Sequence, residues 1–380
     1  MKSNNEIIVR TVQVTDIENL RSFFIKAYGE QTIFQNEKFL LYYFDAHNEQ
    51  SEPLSYSLIG INSDGEIVSH YGGIHCKLKL NKTFISIVWG VNAYTLPEWR
   101  GFGTNSKIVN YIHENNEANA VIGMPFDAPY FYQKLGYNIF NKETFKRFVY
   151  VLDSSVFTII DQLGNNAENA RKLLKPKKND TVLSTLGDII ELTKNNFENY
   201  NFDLDVDVIA TTFRDINFLS WRLFNNPYIN YKVFGYLKSN KIKSYIAIRE
   251  EILEPTNYKV SRIIDLFGDK AGIINLLNHT INYSKANGSI YIDFSVYGKL
   301  YEKELLTAGF AKLESDEVTL LPMVSSPIEN RPNHEFLVVQ SKLHNDEIQN
   351  LSSENVYFTR IDGDRDRIAR IIQLKQYHDK

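Results

Sequence analysis

The chain has 380 residues, 43% of them hydrophobic and a net charge of −4, which gives room for two cores and leaves no overall basic footprint for nucleic acid. Cys76 is the only cysteine, so an intrachain disulfide is excluded and thiolate-ligated zinc disfavoured; no metal is expected. No apolar run is long enough to cross a bilayer, and Met1-Lys-Ser-Asn-Asn-Glu lacks a signal-peptide core, so no membrane insertion and a cytoplasmic location are expected.

Ile7 to Val14 alternates as a first strand, and Thr15-Asp-Ile-Glu18 matches a capping box. The helix that follows carries Ile17, Leu20, Phe23, Phe24 and Ala27 at helical spacing. A second helix is expected from Asn36 to Ala46, with Phe39, Leu40, Tyr43 and Phe44 together. Tyr56 to Ile61 and Glu66 to Leu80, joined through Asp64-Gly65, read as a hairpin. Within it Val68, His70, Gly72, Ile74 and Cys76 share one face, and Ser69, Tyr71, Gly73 and His75 the other. His70 and His75 therefore cannot act together.

Phe84 to Leu96 is β-branched and aromatic, a buried strand that Pro97 ends. Arg100-Gly101-Phe102-Gly103-Thr104-Asn105 follows, then a helix with Ile108, Val109 and Ile112 on one face. A helix N-terminus presents unpaired N–H groups and partial positive charge, two glycines let the backbone curl around an anion, and Arg100 adds a forked cation. A phosphorylated ligand is the natural occupant. Neither GxGxxG nor Gly-Lys-Ser/Thr is present at this turn. A strand from Ala120 to Met124 and then Ala128-Pro-Tyr-Phe-Tyr-Gln-Lys-Leu-Gly-Tyr137 complete the pattern.

This order resembles the GNAT acyltransferase superfamily, whose signature is Arg/Gln-x-x-Gly-x-Gly/Ala after the fourth strand and a later Phe/Tyr-Tyr-x-Lys-Leu-Gly-Phe/Tyr. Arg100, Gly103 and Asn105 occupy the first signature; Asn105 departs from Gly or Ala and suggests a slightly widened loop. Asn141 to Val151 is expected to supply the strand that completes this sheet. The polar stretch Lys172 to Asp180 reads as a boundary.

The second half repeats the first weakly. Tyr231–Leu237 and Ile242–Ile252 echo the hairpin, and Val260–Phe267 the fourth strand. Ala271–Ala286 matches its helix, Ser289–Ser295 the fifth strand, and Tyr301 to Phe310 the Tyr132–Tyr137 segment. Gly268-Asp-Lys-Ala-Gly272 replaces the phosphate turn, and Asp269 opposes pyrophosphate there. The expected fold is α/β with a mixed, α+β-like sheet, in two GNAT-like domains in tandem. These are a domain at 1–152 binding acyl-CoA, a linker region at 153–185, and a degenerate domain at 186–380. The last ends in a charge-dense tail, Tyr357 to Arg367, expected to be solvated or an interface.

The resemblance implies an N-acyltransferase using acyl-CoA (coenzyme A) as co-substrate, without metal. It implies fourth-strand backbone at Ala93, Tyr94 and Thr95 as donors to the thioester carbonyl. Cofactor contacts are implied at Arg100, Gly101, Phe102, Gly103, Thr104, Asn105, Ala128 and Phe131. Tyr132 occupies the family's acid position and could protonate the leaving thiolate. Asp127 and His75 are candidates for relaying the amine proton. Trp221 and Arg222 offer a stacking surface and an anion fork for a nucleotide-linked acceptor. Tandem proteins of this type resemble enzymes that acylate nucleotide-linked amino sugars for surface polysaccharides. Acetylation of an aminoglycoside-like antibiotic, transfer to peptides or peptidoglycan precursors, and a non-enzymatic acyl-CoA-binding regulator stand as alternatives. Homo-oligomer formation is left open.

Overall fold

A computed structural model describes residues 6–44, 54–124, 127–140, 144–175, 187–314, 317–325, 328–329 and 336–367. The chain divides into two units: Met1–Ile139, Phe336–Asn350 and Asp362–Lys380 form the first, Phe140–Glu335 and Leu351–Ile361 the second.

In chain order the first segment folds as β1 (Ile8–Thr11), α1 (Ile17–Tyr28), α2 (Glu37–Tyr43), β2 (Leu58–Ile61), β3 (Ile67–Leu80) and β4 (Thr83–Thr95). It continues through α3 (Thr104–Asn115), β5 (Ala118–Met124), α4 (Ala128–Lys134) and β6 (Asn138–Phe140). Next come β7 (Phe145–Val151), α5 (Val156–Gln162), α6 (Ala167–Leu173), β8 (Asp188–Leu192), β9 (Asn201–Phe202), β10 (Ala210–Thr212) and α7 (Ile216–Leu219). The chain proceeds by β11 (Lys232–Lys238), β12 (Lys241–Leu253), β13 (Tyr258–Gly268), α8 (Lys270–Ala286), β14 (Ser289–Tyr297), α9 (Glu302–Thr307) and β15 (Ala311–Leu313). It ends in β16 (Val324–Ser325), β17 (Ile328–Glu329), β18 (Phe336–Ser341), α10 (Asn345–Gln349) and β19 (Val356–Thr359).

The entry to α1 differs from the expected Thr15 cap. A 3-10 turn intervenes at Val14–Asp16, and Asp16 accepts from the Gln13 amide at 2.8 Å while pairing with Arg10 at 2.6 Å. The turn shifts the cap because Arg10 draws the Asp16 carboxylate back toward β1. Asn36 caps α2, its Oδ1 accepting from Phe39 N at 3.0 Å, and the helix buries Phe39, Leu40 and Tyr43. Residues 45 and 46 of the expected second helix lie outside the described residues.

In the first unit β1, β2, β3 and β4 run antiparallel to their neighbours, β4 and β5 run parallel, and β18 lies antiparallel on β5. The second unit repeats this plan with β8, β11, β12 and β13 antiparallel and β13 and β14 parallel. The mixed α/β architecture expected from the sequence is thus present. The strand after the parallel pair corrects the expectation. β7 does not complete the first sheet; it pairs with β14 from Tyr291↔Val151 to Tyr297↔Phe145, and with β15. β18, from near the other end of the chain, takes the place on β5, with Leu337↔Ile122 and Gln340↔Asn119.

A buried ion cluster explains where β7 settles. Arg147 on β7 donates through Nε to Asp293 on β14 at 3.1 Å and through Nη1 to Leu321 O at 2.7 Å. Arg262 on β13 and Arg360 approach the same carboxylate at 2.7 and 3.3 Å. Burial alone would raise the Asp293 pKa, but Arg262, Arg360 and Arg147 together hold it well below the carboxylate range. Removing one partner would leave uncompensated buried charge.

The expected linker at 153–185 is also corrected over its first part. α5 and α6 bury Val156, Phe157, Ile159, Ile160, Ala167 and Ala170 in one core with Leu253, Val260 and Tyr291. Their apolar faces pack because both helices carry aliphatic residues at helical spacing. Residues 176–186, which include the end of the expected boundary, lie outside the described residues. The tail is largely buried where described: Tyr357, Phe358, Arg360, Ile361 and Asp362 are buried, and Asp364, Arg365 and Arg367 half-buried.

Candidate active site

The site begins where β4 and β5 part. Their parallel pairing runs from Ile87↔Ala118 to Gly90↔Val121, yet β4 continues to Thr95 and β5 to Met124. Beyond Gly90, β4 keeps β3 as its partner through His70↔Tyr94 and Ser69↔Thr95, after a register shift between His70 and Gly72. Asn92 sits in this bulge with φ +50°, a left-handed value that Asn tolerates better than most residues. His70 fixes the bulge, its Nδ1 lying 3.2 Å from Asn92 O. Phe24 and Phe44 ring His70, with centroids at 4.8 and 6.0 Å, and burial pulls its pKa down to about 4. The imidazole is therefore neutral near pH 7, and the Asn92 carbonyl selects the tautomer with hydrogen on Nδ1. Ala93, Tyr94 and Thr95 consequently have no ladder partner on β5.

The turn after β4 sets two left-handed glycines ahead of the start of α3. Gly101 and Gly103 have φ +85° and +76°, and a Cβ at either would meet open space. Gly103 precedes α3, whose first turn has no side-chain cap, so its amides remain available. Arg100 Nε donates to Thr95 O at 3.0 Å, and its guanidinium carbon lies 5.3 Å from the Tyr94 ring centroid. Arg100 is exposed. Asn105 turns inward: Thr95 Oγ1 donates to its Oδ1 at 2.7 Å, tying the first helical turn to the end of β4. That bond accounts for Asn at a position where the resembled family carries Gly or Ala. Phe102 is exposed and Thr104 buried.

On the α3 and α4 side, Tyr132 is buried with Tyr71 and Tyr137 among Ile108, Val109 and Val121. A Cβ at Gly90 would overlap the Tyr71 hydroxyl, so Tyr71 lies directly beneath the point where the strands separate. Burial raises the Tyr132 pKa above that of an ordinary phenol, and the Tyr71 hydroxyl offsets part of the rise. Ala128 and Phe131 pack at the edge of this cluster, and Asp127 is exposed at the start of α4.

The other candidates lie elsewhere. His75 pairs with Val88, where β4 and β5 still run together; its ring stacks on Tyr56 at 4.5 Å and Nε2 lies 2.8 Å from Ser86 Oγ. Trp221 and Arg222 belong to the second unit, in a π-helical turn at Ser220–Phe224, and both are buried, with the guanidinium 5.0 Å from the indole centroid. The hydropathy that buries them was legible in Phe218-Leu-Ser-Trp, but their enclosure was not. Sequence reasoning passed over Tyr71 as a neighbour of Tyr132 and Asn92 as the bulge; Tyr71 on the face opposite His70 was the available signal.

The second unit fills the corresponding space. β19 pairs with β14 through Val296↔Thr359 and Tyr297↔Phe358, and the Tyr357 hydroxyl donates to Leu266 O on β13. Asp269 caps α8, accepting from Ala271 N at 3.1 Å, and the Tyr301 hydroxyl accepts from Gly268 N at 2.9 Å. The helix start is thus occupied by the chain's own carboxylate. Near it opens a cleft lined by Asp203, Asp205, Asp207, Lys238, Lys241 and Lys243, in which the two signs balance.

Among the described residues no group of three or more His, Cys, Asp or Glu is arranged to hold a metal, and no helix is long and apolar enough to cross a membrane. Residues 8–140 match the family model described as an acetyltransferase (GNAT) domain. No curated protein matches the chain. Among solved structures, a conserved protein of Enterococcus faecalis described as a probable N-acyltransferase aligns with TM-score 0.54 and 13% identity, over 90% of this chain and 74% of that one. A GCN5-related N-acetyltransferase from Kribbella flavida aligns at TM-score 0.51 and 11% identity, over 89% and 71%. Saccharomyces cerevisiae N-myristoyltransferase with bound myristoyl-CoA and inhibitors aligns at 0.52 and 9%, over 94% and 87%. At these identities the likeness is one of fold. The likeness to a GNAT acetyltransferase domain thus rests on residues 8–140, and over the rest of the chain it is one of fold.

Proposed function

We propose that the first unit transfers an acyl group from acyl-CoA to the amino group of a small acceptor, and that the acceptor is a nucleotide-linked amino sugar. The observation that carries the transfer reading is the junction of two open features: the uncapped start of α3 beside Arg100, and the β4 edge at Ala93–Thr95 that β5 leaves unpaired. The first suits a pyrophosphate. The second suits a pantetheine chain and a thioester carbonyl, whose developing oxyanion would take hydrogen bonds from backbone amides.

In this reading the acceptor nitrogen attacks the thioester carbon, the C–N bond forms, and the C–S bond breaks to release coenzyme A thiolate. Tyr132 donates to the departing sulfur. Its raised pKa keeps it protonated, so it enters as a hydrogen-bond donor throughout, and the departing thiolate, whose conjugate thiol has a pKa of about 8.5, takes its proton from water because full transfer from this phenol is uphill. The amine proton leaves through water, since an amine near pKa 8 is already about a tenth neutral at pH 7. Asp127, exposed beside α4, is the proposed relay; His75 faces Ser86 and Tyr56 instead. A single acyl-CoA site is proposed, because Asp269 and β19 occupy the equivalent places in the second unit.

The test is thiol release from acetyl-CoA and from a longer acyl-CoA, with nucleotide-linked amino sugars, aminoglycosides and amino-terminal peptides as acceptors. Release confined to the amino sugars supports the full reading; release only with peptides or aminoglycosides rejects the acceptor. Arg100→Ala should weaken acetyl-CoA binding by about tenfold, the value of a charge-assisted contact to phosphate. Unchanged affinity by calorimetry would remove the turn from the cofactor site.

A further inference from the structure

The segment that follows the second unit returns to the first and lies against the parting strands. Asp362–Lys380 belongs to the first unit, and its described part is the turn from Asp362 to Arg367. Gly363, at φ +61°, lies so close that an added Cβ would sit 2.8 Å from Ile122 Cγ2 of β5 and 3.8 Å from Trp89 Cε3 of β4. Trp89 pairs with Ile74 and shares the face of His70 and Gly72, which α1 and α2 cover. The turn therefore covers the splay on the side opposite Tyr71 and Tyr132.

Its charged residues are fixed there. Arg367 Nη2 lies 3.4 Å from Asn92 Oδ1 in the β4 bulge, its guanidinium carbon 4.8 Å from the Phe34 centroid, and its Nε 3.3 Å from Asp364 Oδ2. Tyr28 at the end of α1 is 40% exposed, stands 5.3 Å from Tyr94, and feels the charges of both Arg367 and Asp364. An exposed aromatic face, a carboxylate and the unpaired β4 edge thus converge.

We propose that this turn forms the acceptor-side wall of the site, with Asp364 as the counter-charge for the acceptor's primary ammonium and Tyr28 as the surface on which the acceptor lies. This rests on the acyl-transfer reading above. Arg367 acts as a positioning residue: it ties the turn to the Asn92 bulge and aims the Asp364 carboxylate. A carboxylate beside an aromatic face favours a cationic amine over its neutral amide, so the acylated product would be bound less well than the acceptor.

The experiment is calorimetric titration of the protein, first with coenzyme A to saturation so that no acyl group can transfer, then with glucosamine and with N-acetylglucosamine, its neutral counterpart. The wild type should bind glucosamine at least about tenfold more tightly. Asp364→Asn should abolish that preference while leaving coenzyme A affinity unchanged, and Asp364→Glu should restore it. A wild type without the preference, or a preference that survives in Asp364→Asn, overturns the proposal. Absence of coenzyme A binding in the first step instead rejects the acyl-transfer reading, so the two failures are distinguishable.

Discussion

Tyr132 shows how position changes the chemistry of a residue. Free in water a phenol titrates near 10; packed with Tyr137 and with Tyr71, which lies under Gly90, Tyr132 is pushed higher because phenolate would lose its hydration. Tyr132→Phe should lower kcat by about 10²-fold and leave acceptor KM within about twofold, as expected when a contact forms only in the transition state. Because the group stays protonated, the basic limb of the wild-type pH profile should not come from this phenol. A limb between pH 9 and 10 that vanishes in Tyr132→Phe would contradict that assignment.

Among elements, the bulge in β4 has the largest consequence, and its support comes from across the sheet. His70 on β3 is held neutral by the aromatic residues of α1 and its neighbours, with a pKa of about 4 against about 6.5 in the unfolded chain. As pH falls from 6.5 to 4 the unfolded chain takes up a proton that the folded one refuses. The stability tied to neutral His70 is therefore complete above pH 6.5 and is lost through that window, by roughly 3 kcal/mol. Urea melts at pH 7.5 and pH 4.5 should show a smaller loss for His70→Phe than for the wild type. An equal loss in both would mean that other groups set the acid sensitivity.

For the whole chain, the decisive feature is which segment joins which sheet. β5 finds its antiparallel neighbour in β18, and β14 finds its own in β7, so neither unit is a continuous stretch of sequence. A fragment of residues 1–152 would expose the β5 edge and the apolar residues that β18 covers, Ile122 and Val121 among them. Expressed alone, it should aggregate or lack a cooperative thermal transition by circular dichroism. A sharp transition from that fragment would show that β18 is dispensable. The gain in pairing β18 rather than β7 on β5 is not local, which is why the order of strands along the chain misled the domain boundaries.

By itself the sequence determined most elements and the glycine turn before α3, because those depend on neighbours a few residues away. Pro97 ends β4, Gly101 and Gly103 supply positive φ, and the apolar spacing of Ile108, Val109 and Ile112 buries one face of α3. Periodicity likewise placed His70 and His75 on opposite faces, where they are found packed against Phe24 and Tyr56. Only tertiary structure decided the exchange of β7 and β18, the burial of Trp221 and Arg222, and the return of Asp362–Arg367 to the face of β4. Each of these joins residues far apart in the chain. An arginine reads as surface charge until a distant carboxylate such as Asp293 makes its burial tolerable, and a charge-dense tail reads as solvated or an interface until a sheet receives it. Local pattern fixes which way a side chain points along its strand; the partner waiting there is chosen by packing across the whole fold.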